Sequence, residues 1–202
     1  MEQAAITRNP AFRYIPACRQ AVVFDTETTG VGGADRIISL AAIPLDAGLR
    51  PSGPGLHLVF NPGRPSHPCA LAVHGLTDKF LARQPRFADH AEDIRSVFRG
   101  KVLVAHNLSF DLRMLGQEFT ALGLTPLGGR GGRYCTMQEF RARHAGQSAK
   151  LDLVLRRLDL PCRAGQAHGA FEDAVLAMHV LHRLHHLTEL HPMLPAPFQN
   201  AR

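Results

Sequence analysis

Tryptophan is absent from the 202-residue chain, and tyrosine occurs only twice. A broad aromatic platform for stacking bases is therefore excluded. Cysteine is sparse: Cys18, Cys69, Cys135 and Cys162 lie 51, 66 and 27 residues apart, with no C-x-x-C pair. Those spacings match no zinc pattern and predict reduced thiols. No apolar run approaches the roughly 18 residues that span a bilayer, so no membrane partner is expected. Met1 to Gln20 carries Arg8, Pro10, Arg13 and Pro16 and no apolar stretch, which argues against a secretory signal. A cytoplasmic location is the resulting expectation. Internal repeats and runs of like charge are missing as well.

What remains is globular in composition, with 45% hydrophobic and 20% charged residues, and long enough for one domain with a sizeable core. A formal net charge of +6 permits an anionic partner such as nucleic acid without requiring one.

Strand-like runs occur at 21–24, 36–43 and 56–60, broken by Thr29, Gly30, Gly32 and Gly33 and then by the turn-rich stretch 51–55. They predict an antiparallel meander. Helical periodicity follows at 88–99, 109–122, 151–158 and from Ala170 onward, with a strand at 102–105 and an edge strand at 133–136. The expected class is α/β with a mixed sheet. An N-terminal extension (1–19), one domain (20–187) and a proline-containing C-terminal tail (188–202) are expected.

Three segments can carry chemistry. In Phe24-Asp25-Thr26-Glu27-Thr28-Thr29-Gly30, two carboxylates two residues apart leave an apolar strand on the same face. His106-Asn107-Leu108-Ser109-Phe110-Asp111 sits where a strand ends and a helix begins, the usual place for ligands in α/β sheets. In His168-Gly169-Ala170-Phe171-Glu172-Asp173, Asp173 falls near the start of the last helix. On a continuous helix His168 would stand about 140° away from it, so a loop must bring the imidazole round. Each segment alone also has an ordinary reading: a solvated strand end, a charge stabilising a helix N-terminus, an exposed histidine. Together they place four carboxylates and one histidine in one region. Two divalent cations neutralise four carboxylates, and oxygen-only ligation suits Mg²⁺ or Mn²⁺. A pair of ions about 3.5–4 Å apart suits in-line displacement at a phosphodiester, with histidine taking a proton from the attacking water.

These segments, in this order, resemble the three motifs of the DEDDh 3′–5′ exonucleases, the epsilon proofreading subunits of bacterial DNA polymerase III in particular. Asp35-Arg36-Ile37-Ile38, Val73-His74-Gly75-Leu76-Thr77, Tyr134-Cys135-Thr136-Met137 and Lys150-Leu151-Asp152 extend the likeness across 20–187. The resemblance implies a ribonuclease H-like fold with a five-stranded mixed sheet flanked by helices. It implies that Asp25, Glu27, Asp111 and Asp173 hold two cations, with Asp25 shared, Glu27 and Asp173 on the first and Asp111 on the second. His168 would be the general base. Thr28, Val73, His74 and Phe110 would line the pocket for the terminal nucleotide. The implied activity removes nucleoside 5′-monophosphates from the 3′ ends of single-stranded or frayed DNA, with RNA as the alternative substrate and a DNA polymerase subunit as a partner. About fifteen residues follow the pattern and contain no glutamine-led hydrophobic clamp-binding peptide. A free-standing nuclease is as well supported as a replicase member.

Three other features are given ordinary roles. His179, His182, His185 and His186 read as a solvated His-rich helix face, because no H-E-x-x-H arrangement accompanies them. The glycines at 128–132 lack the lysine and helix start of a phosphate loop. Arg130, Arg133, Arg141 and Arg143 read equally as a backbone-tracking strip or as solubilising charges.

Overall fold

The apolar run at 21–24 lies within β1 (Ala21–Thr28), the middle strand of a five-stranded sheet, in a computed structural model that describes residues 13–128, 131–163, 165 and 167–187. β2 (Ile37–Leu45) pairs antiparallel with β1, and β3 (Leu56–Val59) pairs antiparallel with β2, giving the expected meander. β4 (Val102–Ala105) lies parallel to β1 on its other side, and β5 (Arg133–Cys135) lies parallel to β4. The order is β3-β2-β1-β4-β5. The sheet is mixed, as composition and pattern led one to expect.

Alternation along β1 sorts its side chains to two cores. Val22 and Phe24 join Phe60, Phe87, Phe98 and Phe119 on one face, under α3 (Ala91–Phe98) and α4 (Leu108–Ala121). Ala21 and Val23 meet Ala174, Val175, Met178 and Leu181 of α7 (Ala170–Leu184) on the other. A third cluster joins α7 to α5 (Thr136–Arg143) and α6 (Leu151–Arg157). The short helix α1 (Pro68–His74) covers the end of the sheet near β1's last residues, and the one-turn α2 (Asp78–Leu81) follows it. They and α5 show too little apolar periodicity to be read from sequence. The pattern at 88–99 resolves into a 3₁₀ turn at Phe87–His90 followed by α3.

Two expectations are corrected. His179, His182 and His185 are buried rather than solvated, because α7 is enclosed by the sheet, by α5 and α6, and by residues 13–15 and 49. Burial of His182 and His185 is tolerable because each ring has a hydrogen-bond partner. His182 Nε2 lies 2.7 Å from the Leu49 carbonyl oxygen, and His185 Nε2 accepts from the Ile15 amide at 2.9 Å. Arg143 is likewise no free phosphate contact: its nearly buried side chain pairs with Glu139 at 3.3 Å and lies over the Tyr14 ring. Arg133 and Arg141 are exposed, and Arg130 lies outside the described residues. Gly131 has a packing reason to be glycine, since a side-chain carbon there would overlap the Lys101 carbonyl. Cys18, Cys69 and Cys162 are exposed free thiols, while Cys135 is buried against the His106 carbonyl.

Candidate active site

β1 runs on past its pairing with β4, which ends at Val23↔Val104, so its last residues project beyond the parallel half of the sheet. Asp25 and Glu27 continue the Val23 face and point toward α7. Thr26 continues the Phe24 face and points toward α4. Its amide and hydroxyl both donate to Asp111 Oδ1, at 3.1 and 2.8 Å. Asp111 lies in the first turn of α4, where the helix N-terminus favours its charge, and is 2% exposed. Just upstream, His106 is buried between the Thr136 hydroxyl at 2.9 Å and the Ala149 carbonyl at 2.8 Å. It braces the strand end rather than facing the carboxylates.

Asp173 occupies the first turn of α7, and Gly169, the preceding cap, has extended backbone. The helix therefore does not include His168, which escapes the 140° geometry. Its amide donates to the Val73 carbonyl of α1 at 2.9 Å. This brings the imidazole round, with Nδ1 3.3 Å from Asp173 Oδ2. Donor atoms of Glu27, His168 and Asp173 all lie within 4.8 Å of one another.

The remaining acids act on this space electrostatically. Burial pushes the Asp25 carboxyl well above the ordinary carboxylate range, and Asp111, Asp173 and Glu27 push it further. Burial, then Asp173, raises Glu27 to about 8 against the opposing charge of Arg163. Asp111 is raised to about 7 by burial, with the Thr26 hydrogen bonds pulling the other way. Asp173 is raised by burial and held back by Arg163. Four acids that resist ionising together have room for more positive charge. An oxygen-only donor set of this kind fits hard divalent cations.

Beside the acids opens a cavity of about 720 Å³. Thr28, Val73, His74 and Phe110 line it together with Glu27, Gly30, Arg64 and Cys69. His74 is buried, with Nε2 unpartnered. A second cavity of about 340 Å³, lined by Arg95, Arg99, Lys101 and Phe98, lies at the amino end of β4 and includes none of the acids.

Two residues escaped the sequence reading. Thr26 carries a signal, because alternation sets it opposite Asp25 and Glu27, but the partner it meets depends on how α4 docks. Arg163, which ion-pairs with Asp173, lies in an aperiodic stretch and carries no signal.

Comparison with known proteins places this arrangement. The profile of the exonuclease family matches residues 22–181. The DNA polymerase III epsilon subunit of Haemophilus influenzae is 34% identical over 163 residues, covering 76% of this chain and 62% of that protein. The Escherichia coli K12 epsilon subunit is 30% identical over 174 residues, covering 81% and 70%. The chain thus spans less than two thirds of the Haemophilus relative. A structure of E. coli exonuclease I with single-stranded DNA shares the fold, with a TM-score of 0.70 at 20% identity over 80% of this chain and 39% of that one. With a ribonuclease H-like mixed sheet and a match extending over most of its length, the chain belongs to the exonuclease family.

Proposed function

We propose that the chain is a divalent-metal-dependent 3′–5′ exonuclease acting on single-stranded or frayed DNA ends and releasing nucleoside 5′-monophosphates. The observation that carries this reading is the convergence of Glu27, His168 and Asp173 beside a nucleotide-sized cavity. Asp25, Glu27, Asp111 and Asp173 would hold two Mg²⁺ or Mn²⁺ ions, with Asp25 common to both. Bound there, the ions supply Lewis-acid activation and neutralise the phosphodiester. Asp173 orients the imidazole through Nδ1, leaving Nε2 of His168 to take the proton from the attacking water. Thr28, Val73, His74 and Phe110 would receive the terminal nucleoside. A paired blunt end should react more slowly, because the last base must first unstack at a cost of a few kcal/mol. Relatives named as subunits of DNA polymerase III support a polymerase subunit as the partner to test.

The test is a Mg²⁺-dependent assay on 5′-labelled DNA and RNA oligonucleotides of matched sequence, with Asp25→Asn as control. The expected outcome is stepwise shortening from the 3′ end of DNA, and none by the variant. Faster trimming of RNA would move the substrate class to RNA. Cutting of a circular single strand would sink the exonuclease assignment.

A further inference from the structure

Arg163 lies between α6 and α7, outside regular structure, yet its side chain is only 5% exposed. Its guanidinium is divided between two acids. Nη1 donates to Asp173 Oδ1, and Nη2 reaches Asp152 Oδ1, in the first turn of α6, at 3.4 Å. Nε is buried without an acceptor. A rigid five-donor fork that leaves a buried donor idle is held by charge more than by saturation of its hydrogen bonds. That charge reaches beyond its direct partner: Arg163 opposes the upward displacement of Asp25 and Glu27 as well as Asp173.

Asp173 is one of the four acids assigned above to the cations, so Arg163 takes up an oxygen that an ion would need. Two positive centres on one carboxylate oxygen repel strongly in a partly buried site. Without any cation, four neighbouring carboxylates would equally repel one another. One arginine cannot neutralise the cluster, but it can hold the site together until ions arrive.

We propose that Arg163 is the resident counter-cation of the metal-free site and that metal binding is an exchange. The guanidinium gives up Asp173 as the ion takes that oxygen, and it stays tethered through Asp152. The inference rests on the metal-holding role proposed for Asp173. Its consequence separates it from a plain structural ion pair. Losing a structural pair lowers stability with and without metal and leaves metal affinity unchanged or weaker. Losing a competing counter-cation lowers metal-free stability and raises metal affinity.

The experiment is calorimetric titration of Mg²⁺ and Mn²⁺ into the metal-free full chain, Arg163→Met and Arg163→Lys, with melting curves of each. At pH 9, where protons compete least for the acids, Arg163→Met should bind Mg²⁺ about tenfold tighter than the parent, melt several degrees lower without metal, and close that gap at saturating metal. Arg163→Lys should stay near the parent. Equal or weaker binding by Arg163→Met would overturn the exchange while leaving the metal site standing. Absence of binding to the parent and both variants would remove the metal site and the exchange with it. Should Arg163→Met fail to fold, the parent labelled with ¹⁵N-arginine decides. The Arg163 guanidinium signals should shift and lose protection as Mg²⁺ is added; signals unmoved at saturation would overturn the proposal.

Discussion

Thr26 holds Asp111 by two hydrogen bonds to a single carboxylate oxygen, one from its amide at 3.1 Å and one from its hydroxyl at 2.8 Å. The residue between the two acids of β1 thus fixes the third acid, which arrives 85 residues later on another element. Thr26→Val keeps the shape and the amide bond and removes the hydroxyl. Its stability should fall by about 1 kcal/mol. The Asp111 carboxyl, already at about 7, should rise further, so metal affinity near neutral pH should drop several-fold. Denaturant melts and calorimetric metal titration check both.

Stability of the metal-free protein should depend on pH through the raised acids. Glu27 moves from an ordinary 4.5 to about 8 in the folded chain. Between those values the native state keeps a proton that the unfolded chain has lost, so stability falls as pH rises. The metal-free melting temperature should therefore be higher at pH 5 than at pH 8, by an amount equivalent to a few kcal/mol. Added Mg²⁺ should reverse the trend, because cations bind the deprotonated acids and gain affinity as protons leave. A metal-free melting curve that rises from pH 5 to 8 would contradict the buried cluster.

His168→Ala should lower turnover by roughly 10²–10⁴-fold, the usual loss for a general base. Metal affinity should change little, since oxygen donors hold the ions in the proposed arrangement. The backbone bond from residue 168 to Val73 survives the substitution, so the loop should keep its place. Added imidazole should restore part of the rate. Turnover near the parental value would make His168 a bystander.

Glu118 is a structural counterpart to the site acids. It is 1% exposed, grips Arg36 at 2.9 and 2.5 Å, and accepts the Ile37 amide at 2.9 Å. Glu118→Ala should cost roughly 2–3 kcal/mol, below the range for fully buried pairs because Arg36 still reaches water. In a chain of this size that is about 5–10 °C in melting temperature. Activity per folded molecule at low temperature should be retained.

Legibility from sequence followed the reach of each physical signal. Asp25 and Glu27 could be placed on one face because strand alternation is local and strict, and β1 shows that alternation. Asp111 and Asp173 could be placed at helix starts because the apolar periods of α4 and α7 begin there. The site end of α1 could not be seen, because seven residues with only His74 buried give no period to read. The histidines of α7 read as exposed because polarity is the only local signal they carry. Their burial depends on Leu49 and Ile15, contacts 133 and 170 residues away. Arg163 was invisible for the same reason: its partner is set by tertiary structure and not by spacing.

The central position of β1 gives the two walls of the cleft unequal resistance to hydrogen exchange. Ala21, Val22 and Val23 sit fully buried between β2 and β4, so their amides should exchange only when the sheet opens. Across the cavity, α1 has one buried side chain, and exposed Cys69 and Val73 line the groove. Deuterium should therefore enter α1 orders of magnitude faster than β1. Asp25 and Glu27 thus extend from a strand locked inside the sheet, while the wall facing them can move without disturbing them.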